Sequence, residues 1–378
     1  MMGAHPLQTW LAGPLDAAAR AAIDRLVATE EVHAVAIMPD AHLAEEVCVG
    51  TVVATRSTLF PAAIGGDIGC GVLARGFDGD ASVLRDERAA ARIMAGLYGT
   101  VPAAQHARPQ ALPVSLAGVS PRDPRLASLL ERDGRVQLGT LGRGNHFLEL
   151  QQSEDNGQLW AAVHSGSRAF GQAVLDAHLP KTAVTGTGLH CLDASTDDGE
   201  AYLADMALAL TYADANRRAM IEAVTALVGS VLGMTPDPAS EISCVHNFVR
   251  RERHCGEALW VHRKGAISAR AGEPGIVPGS MGTPTFHVEG RGCERSLSSS
   301  SHGAGRAMTR SQARRRIGVG ELRRQLRGVW YDERRADALR DEAPGAYKDI
   351  GRVMRAQSEL TRIVRRLRPV LSYKGAGP

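Results

Sequence analysis

The polar residues of this chain are concentrated in short glycine-flanked pieces, and three of these set a histidine at the end of an apolar, strand-like segment. They are Gly142-Arg143-Gly144-Asn145-His146, leading into a strand that carries Glu149; Val163-His164-Ser165-Gly166-Ser167-Arg168; and Val245-His246-Asn247. With 41 Gly and 18 Pro in 378 residues, such a chain needs many loops and close backbone approaches. Aromatic residues make up only 4%, so the core must come from Ala, Val, Leu and Ile.

Periodicity fills in the scaffold. A helix is expected over residues 15–30, with Leu15, Ala18, Ala22, Leu26 and Val27 on its apolar stripe. HAVAIMPDAH reads as a strand ending in a proline turn, and CVGTVVATR as a β-branched strand. PAAIGGDIGCGVLARGF reads as a loop between strands, 80–97 as helix, and the Pro-rich 101–124 as a surface excursion. HFLELQQ and LWAAVHSGS look like paired strands joined by SEDNG. One long Ala/Leu helix, or two, follows from Thr196 to Leu232, then strands and Gly-rich loops to Gly292, then basic helices to the C-terminus. With no internal repeat and no linker, the expectation is one α+β domain over 1–378.

The chemistry-bearing pieces add up. Gly66-Asp67-Ile68-Gly69-Cys70-Gly71 offers one hard and one soft metal ligand three residues apart. Each alone has a simpler reading, an Asp capping its turn or a buried Cys. A single His at a strand end is more often a core or rim residue than a ligand. Together, Asp67, Cys70, His146, His164 and His246 supply five donors, enough for two adjacent metals sharing a thiolate. The pieces His262-Arg263-Lys264-Gly265-Ala266, Pro278-Gly279-Ser280-Met281-Gly282-Thr283 and Ser301-His302-Gly303-Ala304-Gly305-Arg306 combine small residues with cations, as close approach to an anion requires. None matches GxxxxGK[ST], and no GxGxxG opens a helix after a strand, so a nucleotide fold here is neither P-loop nor Rossmann. His302 could bind phosphate, move protons or act as a nucleophile, and the residues alone do not rank the three.

Charge is uneven. From Gly303 to Pro378 there are 19 Lys+Arg against 8 Asp+Glu, and the rest of the chain carries 25 against 33. A basic C-terminal fifth on an acidic body suits a polyanion, or a solvated Arg-rich face. The six cysteines form no CxxC pair, which argues against a zinc ribbon or a disulfide framework. No apolar run is long enough for a membrane span, and MMGAHPLQTW lacks the pattern of a signal peptide, so a cytoplasmic protein is expected.

Taken in order, MPDAH (Met38–His42), PAAIGGDIGCG ending at Gly71, LGTLGRGNHFLE (Leu138–Glu149), HSGSR from His164, His246-Asn247, VHRKGA from Val261, PGSMGT from Pro278, SHGAGR from Ser301, DEAPGAYKDI from Asp341 and the closing Tyr373-Lys374-Gly375 resemble the RtcB family of GTP-dependent RNA ligases. The resemblance spans nearly the whole chain. It implies a dedicated α+β fold and two Mn²⁺ ions bridged by Cys70, one also held by Asp67 and His146, the other by His164 and His246. It implies that His302 takes GMP from GTP as a phosphoramidate. Asn145 and the Gly303-Ala304-Gly305 backbone would lie at the α-phosphate, Glu149 and Lys374 at the guanine edge, and Ser280 along the nucleotide pocket. RNA ends bearing a 2′,3′-cyclic phosphate or 3′-phosphate would be joined to 5′-hydroxyl ends, in tRNA splicing or RNA repair. Arg168, Arg263, Lys264 and Arg306 are candidate RNA contacts, as are Arg314 to Arg316, Arg323, Arg324 and Arg327. The chain is expected to be a monomer, with an archease-like activator as a candidate partner.

Departures from the family bear on substrate choice. LAEEVCVG (Leu43–Gly50) stands where a Gly-Lys-Gly type stretch is usual, TVPAAQHARPQ represents the Ile-Pro-Val-Gly segment poorly, and a serine replaces the cysteine before SHGAGR. The chain is also somewhat short. The altered LAEEVCVG segment motivates one alternative, an enzyme that guanylates and caps 3′ ends but seals poorly; a second, a silent RNA-binding paralogue, is opposed by the complete set Asp67, Cys70, His146, His164, His246 and His302.

Overall fold

A computed structural model describes residues 7–375. The ends of the expected domain, residues 1–6 and 376–378, lie outside the described residues. Helix and sheet are mixed throughout, as expected, and two large sheets carry the architecture. A five-stranded sheet orders Leu7–Thr9, Val32–His42, Val49–Thr55, Glu257–Lys264 and Asn247–His254. A seven-stranded sheet orders Pro236–Val245, Gly71–Asp80, Gln158–Ser165, Phe147–Ser153, Thr361–Tyr373, Thr285–Gly290 and Pro274–Val277. Every pairing in the seven-stranded sheet is antiparallel.

The sheets meet where the chain passes from Val245 through His246 into Asn247, the last residue of one sheet's strand and the first of the other's. In register, Val245 faces Gly71, Val72 faces His164, and His164 faces Phe147. Neighbouring strand ends thus carry Cys70, His164, His146 and His246 to one point.

Behind them runs a single helix of 36 residues, Asp197–Leu232, capped by the Thr196 side chain and closed by Gly233 at φ 71°. Its Met220, Ile221, Val224 and Val228 pack on Leu73, Phe77, Leu148 and Val163 of the seven-stranded sheet. The same helix buries Asn216 and Arg217, two polar residues in an Ala/Leu sequence. Asn216 donates from Nδ2 to Thr140 O and Gly166 O and accepts at Oδ1 from the Gly139 and Thr140 amides. Arg217 donates to Gly69 O at 2.6 Å and Ser165 O at 2.9 Å. Three loops that would otherwise bury unpaired carbonyls are satisfied by one helix face.

Several elements differ from the sequence expectation. Gly71–Asp80 is a strand, not part of a loop, because both its faces are covered and its apolar residues need no alternation. The first helix is shorter, Ala17–Val27, and buries Ala19, Ile23 and Leu26, whereas Ala18 is exposed. The C-terminal region holds short helices but ends in the 13-residue strand Thr361–Tyr373, central in its sheet. Its Arg362, Arg365, Arg366 and Arg368 fall in the stretch expected to be basic helix. Val32–His42 continues past Pro39 by bulging: Ile37 faces Thr51 and His42 faces Val49. Bulges re-aim side chains near functional sites. Here Lys348 Nζ takes the freed carbonyls of Pro39 and Ala41, at 3.2 and 2.5 Å.

Candidate active site

The bulge turns Asp40 inward, fully buried, and its Oδ2 lies 2.6 Å from His302 Nδ1. A carboxylate accepts, so the imidazole donates from Nδ1 and its Nε2 keeps a free lone pair. His302 follows the strand Ser299–Ser301. Gly305, at φ 70°, fixes the loop beyond it, since an added Cβ would sit 2.2 Å from Asp40 O. The tight approach of the two chain segments therefore depends on glycine. The His302 and His246 rings lie 4.5 Å apart between centroids.

Next to His302 the five expected donors converge. Cys70 Sγ is 3.4 Å from His146 Nε2 and 3.2 Å from His164 Nε2, and His164 Nε2 is 3.0 Å from His246 Nε2. Asp67 Oδ2 is 3.0 Å from His146 Nε2. The ligand atoms form two groups, Asp67/Cys70/His146 and Cys70/His164/His246, each within 4.8 Å and sharing the thiol. The ring orientations suit metal binding. His146 Nδ1 donates to Leu141 O at 3.0 Å and His246 Nδ1 to Asn247 Oδ1 at 3.2 Å, which leaves both Nε2 lone pairs facing Cys70 and His164. Burial, reinforced by neighbouring imidazoles, pushes His164 and His246 well below the usual imidazole range, so both rings are neutral and able to offer a lone pair at neutral pH. Burial opposes ionisation of Asp67, yet His146 and Cys70 outweigh it and hold its carboxyl at about 2. Burial and the Asp67 charge push the Cys70 thiol well up, so its thiolate form calls for a cation in contact. One donor set of O, N and S and a second of N and S, around one shared sulfur, fit a pair of divalent metals.

These groups open on a cavity of about 340 Å³. It is lined by Asp67, Asn145, Glu149, His164, His246, Lys264, Ser280, His302, Gly303, Ala304, Gly305, Arg306 and Lys374 among the expected residues, with Cys70 and His146 buried beside it. Glu149 is buried and accepts from Gln151 Nε2 at 2.8 Å and Ser372 Oγ at 3.2 Å. Burial raises its carboxyl to about 7. Across from it a second buried carboxylate, Glu342, gathers the cations. It accepts from Lys374 and Arg310, from Arg306 at 3.3 Å and from Tyr347 Oη at 2.7 Å. Burial raises its pKa, but Lys374 and Arg310 more than compensate and hold it at about 2. Lys264 Nζ donates to Ala62 O at 3.1 Å and pairs with Glu45 at 3.5 Å at the cavity mouth.

Two candidate RNA contacts fall elsewhere. Arg263 is 0% exposed and bonds Glu252 at 2.7 Å, Ser299 and Leu297 O, so its guanidinium braces the core between strands and is closed to RNA. Strand alternation sends it inward, opposite to Lys264. Arg168 lies outside the cavity lining, with φ 58°, donating to Thr140 Oγ1 and Ala103 O. Sequence reasoning passed over Asp40, Asn216, Arg217 and Glu342. Asp40 and Glu342 sit inside quoted motifs, MPDAH and DEAPGAYKDI. Asn216 and Arg217 left only the signal of a polar pair in an apolar helix.

The family model described as tRNA-splicing ligase RtcB matches residues 23–127 and 114–375. The chain belongs to the RtcB family. The RNA-splicing ligase RtcB of Escherichia coli K12 is 36% identical over 407 residues, covering 98% of this chain and 97% of that protein. RNA-splicing ligase RtcB1 of a second Escherichia coli strain, ATCC 25922, gives the same identity and coverage. The tRNA-splicing ligase RtcB of Methanopyrus kandleri is 32% identical over 314 residues, 68% of this chain and 32% of that one. In this family member Asp67, Cys70 and three histidines cluster beside an Asp-held histidine. No helix among the described residues is long and apolar enough to cross a membrane.

Proposed function

We propose that this protein is an RNA ligase that joins 2′,3′-cyclic-phosphate or 3′-phosphate ends to 5′-hydroxyl ends through a guanylated histidine. The RNA ligase class is that of its relatives. The single observation that supports the covalent route is the Asp40–His302 pair: a buried carboxylate fixes Nδ1–H and leaves Nε2 as a nucleophile at the cavity wall. His302 Nε2 attacks the α-phosphorus of GTP, forming a P–N bond as pyrophosphate leaves. Water opens a 2′,3′-cyclic phosphate by breaking its bond from phosphorus to O2′, which leaves a 3′-phosphate; a 3′-phosphate oxygen then attacks the guanylate phosphorus and breaks the P–N bond to His302, and the 5′-hydroxyl oxygen displaces GMP from the activated end. A pair of Mn²⁺ ions held by Asp67, Cys70, His146, His164 and His246 would supply charge neutralisation at these phosphates.

The chain's own residues do the rest. Asn145 and the Gly303-Ala304-Gly305 backbone bind the α-phosphate. Glu149 accepts from the guanine N–H donors, Lys374 donates to its carbonyl, and Ser280 lines the pocket. This nucleotide cleft is neither P-loop nor Rossmann. Lys264 and Arg306 at the lining meet RNA phosphates. The test is a gel assay with Mn²⁺, GTP and two RNAs, one with a 2′,3′-cyclic phosphate and one with a 5′-hydroxyl. A joined product that needs GTP and disappears in His302→Ala supports the reading. Guanylated but unjoined 3′ ends would favour capping, and unaltered RNA would refute both.

A further inference from the structure

One buried carboxylate, Glu342, serves two sides of the cavity wall, and its two oxygens divide their partners. Oε2 accepts from Lys374 Nζ and from Tyr347 Oη at 2.7 Å, and Oε1 accepts from Arg310 and from Arg306 at 3.3 Å. All four partners line the cavity, and Glu342 itself stands behind them. The arginines have further acceptors. Arg306 donates to Asp341 O at 2.7 Å and Met308 O at 3.0 Å, and Arg310 to Asp341 Oδ2 at 3.0 Å. The Lys374 ammonium has no other partner among the described residues. Its position therefore depends on Glu342.

A second carboxylate lies within reach of that ammonium. In register Ser372 faces Glu149, and Lys374 follows two residues on, at the end of the strand and diagonal to Glu149. Both side chains line the cavity. Glu149 is held by the neutral Gln151 and Ser372, and Lys374 is the charged group that acts on it. A buried ammonium and carboxylate this close pair with each other unless one has another partner. Once paired, they would offer a bound base neither a free acceptor nor a free donor. Glu342 removes the need for that pairing. Glu149 then keeps lone pairs for a ligand, and Lys374 keeps N–H donors beyond the one given to Glu342.

We propose that Glu342 is a positioning residue that sets the base selectivity of the nucleotide pocket, by holding Lys374 off Glu149 so that both groups face the base. The inference rests on the nucleotide reading above and adds a residue that acts on the base only through Lys374. Guanine, with a carbonyl beside a ring N–H, complements an ammonium beside a carboxylate. Adenine has an amino group and an unprotonated ring nitrogen in those places, so it meets a donor with a donor and an acceptor with an acceptor. Unmatched buried polar groups are what make such a site reject the wrong base.

The experiment measures nucleotide transfer to His302 from GTP and from ATP, each with Mn²⁺, and reads the ratio of the two kcat/KM values. Glu342→Gln removes the charge, and its amide has one acceptor oxygen and one NH₂ group for two sets of donors. The GTP:ATP ratio should fall about ten-fold. Glu342→Asp keeps the charge on a shorter stem and is the second variant, which decides if the amide variant fails to fold; its ratio should fall about three-fold. Both values come from one preparation, so a smaller folded fraction cancels. A pH series of GTP affinity is the second readout. In Glu342→Gln, Lys374 should pair with Glu149 and hold it ionised, which removes the rise in affinity across neutral pH. An equal loss with both nucleotides is what a merely structural ion-pair centre would give, and that unchanged ratio overturns the selectivity role. A pH profile that keeps its rise overturns the pairing with Glu149. If the unsubstituted protein forms no adduct with GTP, or uses ATP equally well, the nucleotide reading itself falls, so the two failures are told apart.

Discussion

Single residues in this site are set by what burial does to their charge. Glu149 is the clearest instance. Its carboxyl titrates at about 7 because it is buried with only neutral donors in contact, and Lys374 is committed to Glu342. In the proposed guanine contact it would have to be ionised to accept from the N–H groups. Nucleotide affinity should therefore rise as pH increases from 6 to 8, and Glu149→Gln should flatten that rise, as measured by GTP titration across the range. The stability sign is opposite. A folded-state carboxyl raised above its unfolded value binds its proton longer in the native state, so the fold loses stability as pH climbs from the ordinary carboxylate range to about 7. Asp40 makes the complementary case. Asp40→Asn replaces an acceptor of fixed sense by an amide that can present N–H to Nδ1, favouring the wrong tautomer. The rate of GMP transfer to His302 should drop on the order of 10²–10⁴-fold with the melting temperature little changed, read by adduct formation with labelled GTP.

At the level of elements, the site is a product of strand ends held by one helix. Arg217 reaches the carbonyls of Gly69 and Ser165, one residue from Cys70 and one from His164. Arg217→Met keeps the volume but leaves both buried carbonyls unsatisfied, at a cost of about 2–4 kcal/mol for the pair. Chemical denaturation should read that loss, and the midpoint for metal-induced stabilisation should move to higher metal concentration. Much of this level was legible beforehand. The hairpin of Phe147–Ser153 with Gln158–Ser165 and the long helix followed from alternation, a polar turn and Ala/Leu periodicity. Gly71–Asp80 and Thr361–Tyr373 did not, for different reasons. The first is buried on both faces and shows no alternation, and the second carries arginines on its open face, where composition imitates a helix. The convergence of His146, His164 and His246 was countable in the sequence as donors. Their meeting depended on registers between strands far apart in the chain, which no local pattern encodes.

For the whole molecule the governing quantity is the asymmetry of charge. The basic C-terminal fifth partly neutralises itself: Arg314 pairs with Asp341, Arg323 with Glu333 and Arg324 with Glu321. Among the described residues Arg315, Arg316 and Arg327 are exposed without an ion pair, and the first two close the helix Arg310–Arg316, whose first residue lines the cavity. A strand leaving the cavity past that helix and the Val319–Gln325 helix that follows it would meet these three. Single-stranded RNA neutralised by three cations loses affinity with a slope of about −2 in log K against log salt, roughly fifteen-fold between 50 and 200 mM. The double variant Arg315→Ala/Arg316→Ala should bring the slope to about −0.7, measured by fluorescence anisotropy with an end-blocked RNA. In the proposed reaction, transfer of GMP to His302 would take place among buried groups that salt screens far less. Raising the ionic strength should therefore separate the two functions, with RNA joining lost well before guanylation, and equal salt sensitivity of both would remove the basic C-terminal face from RNA binding.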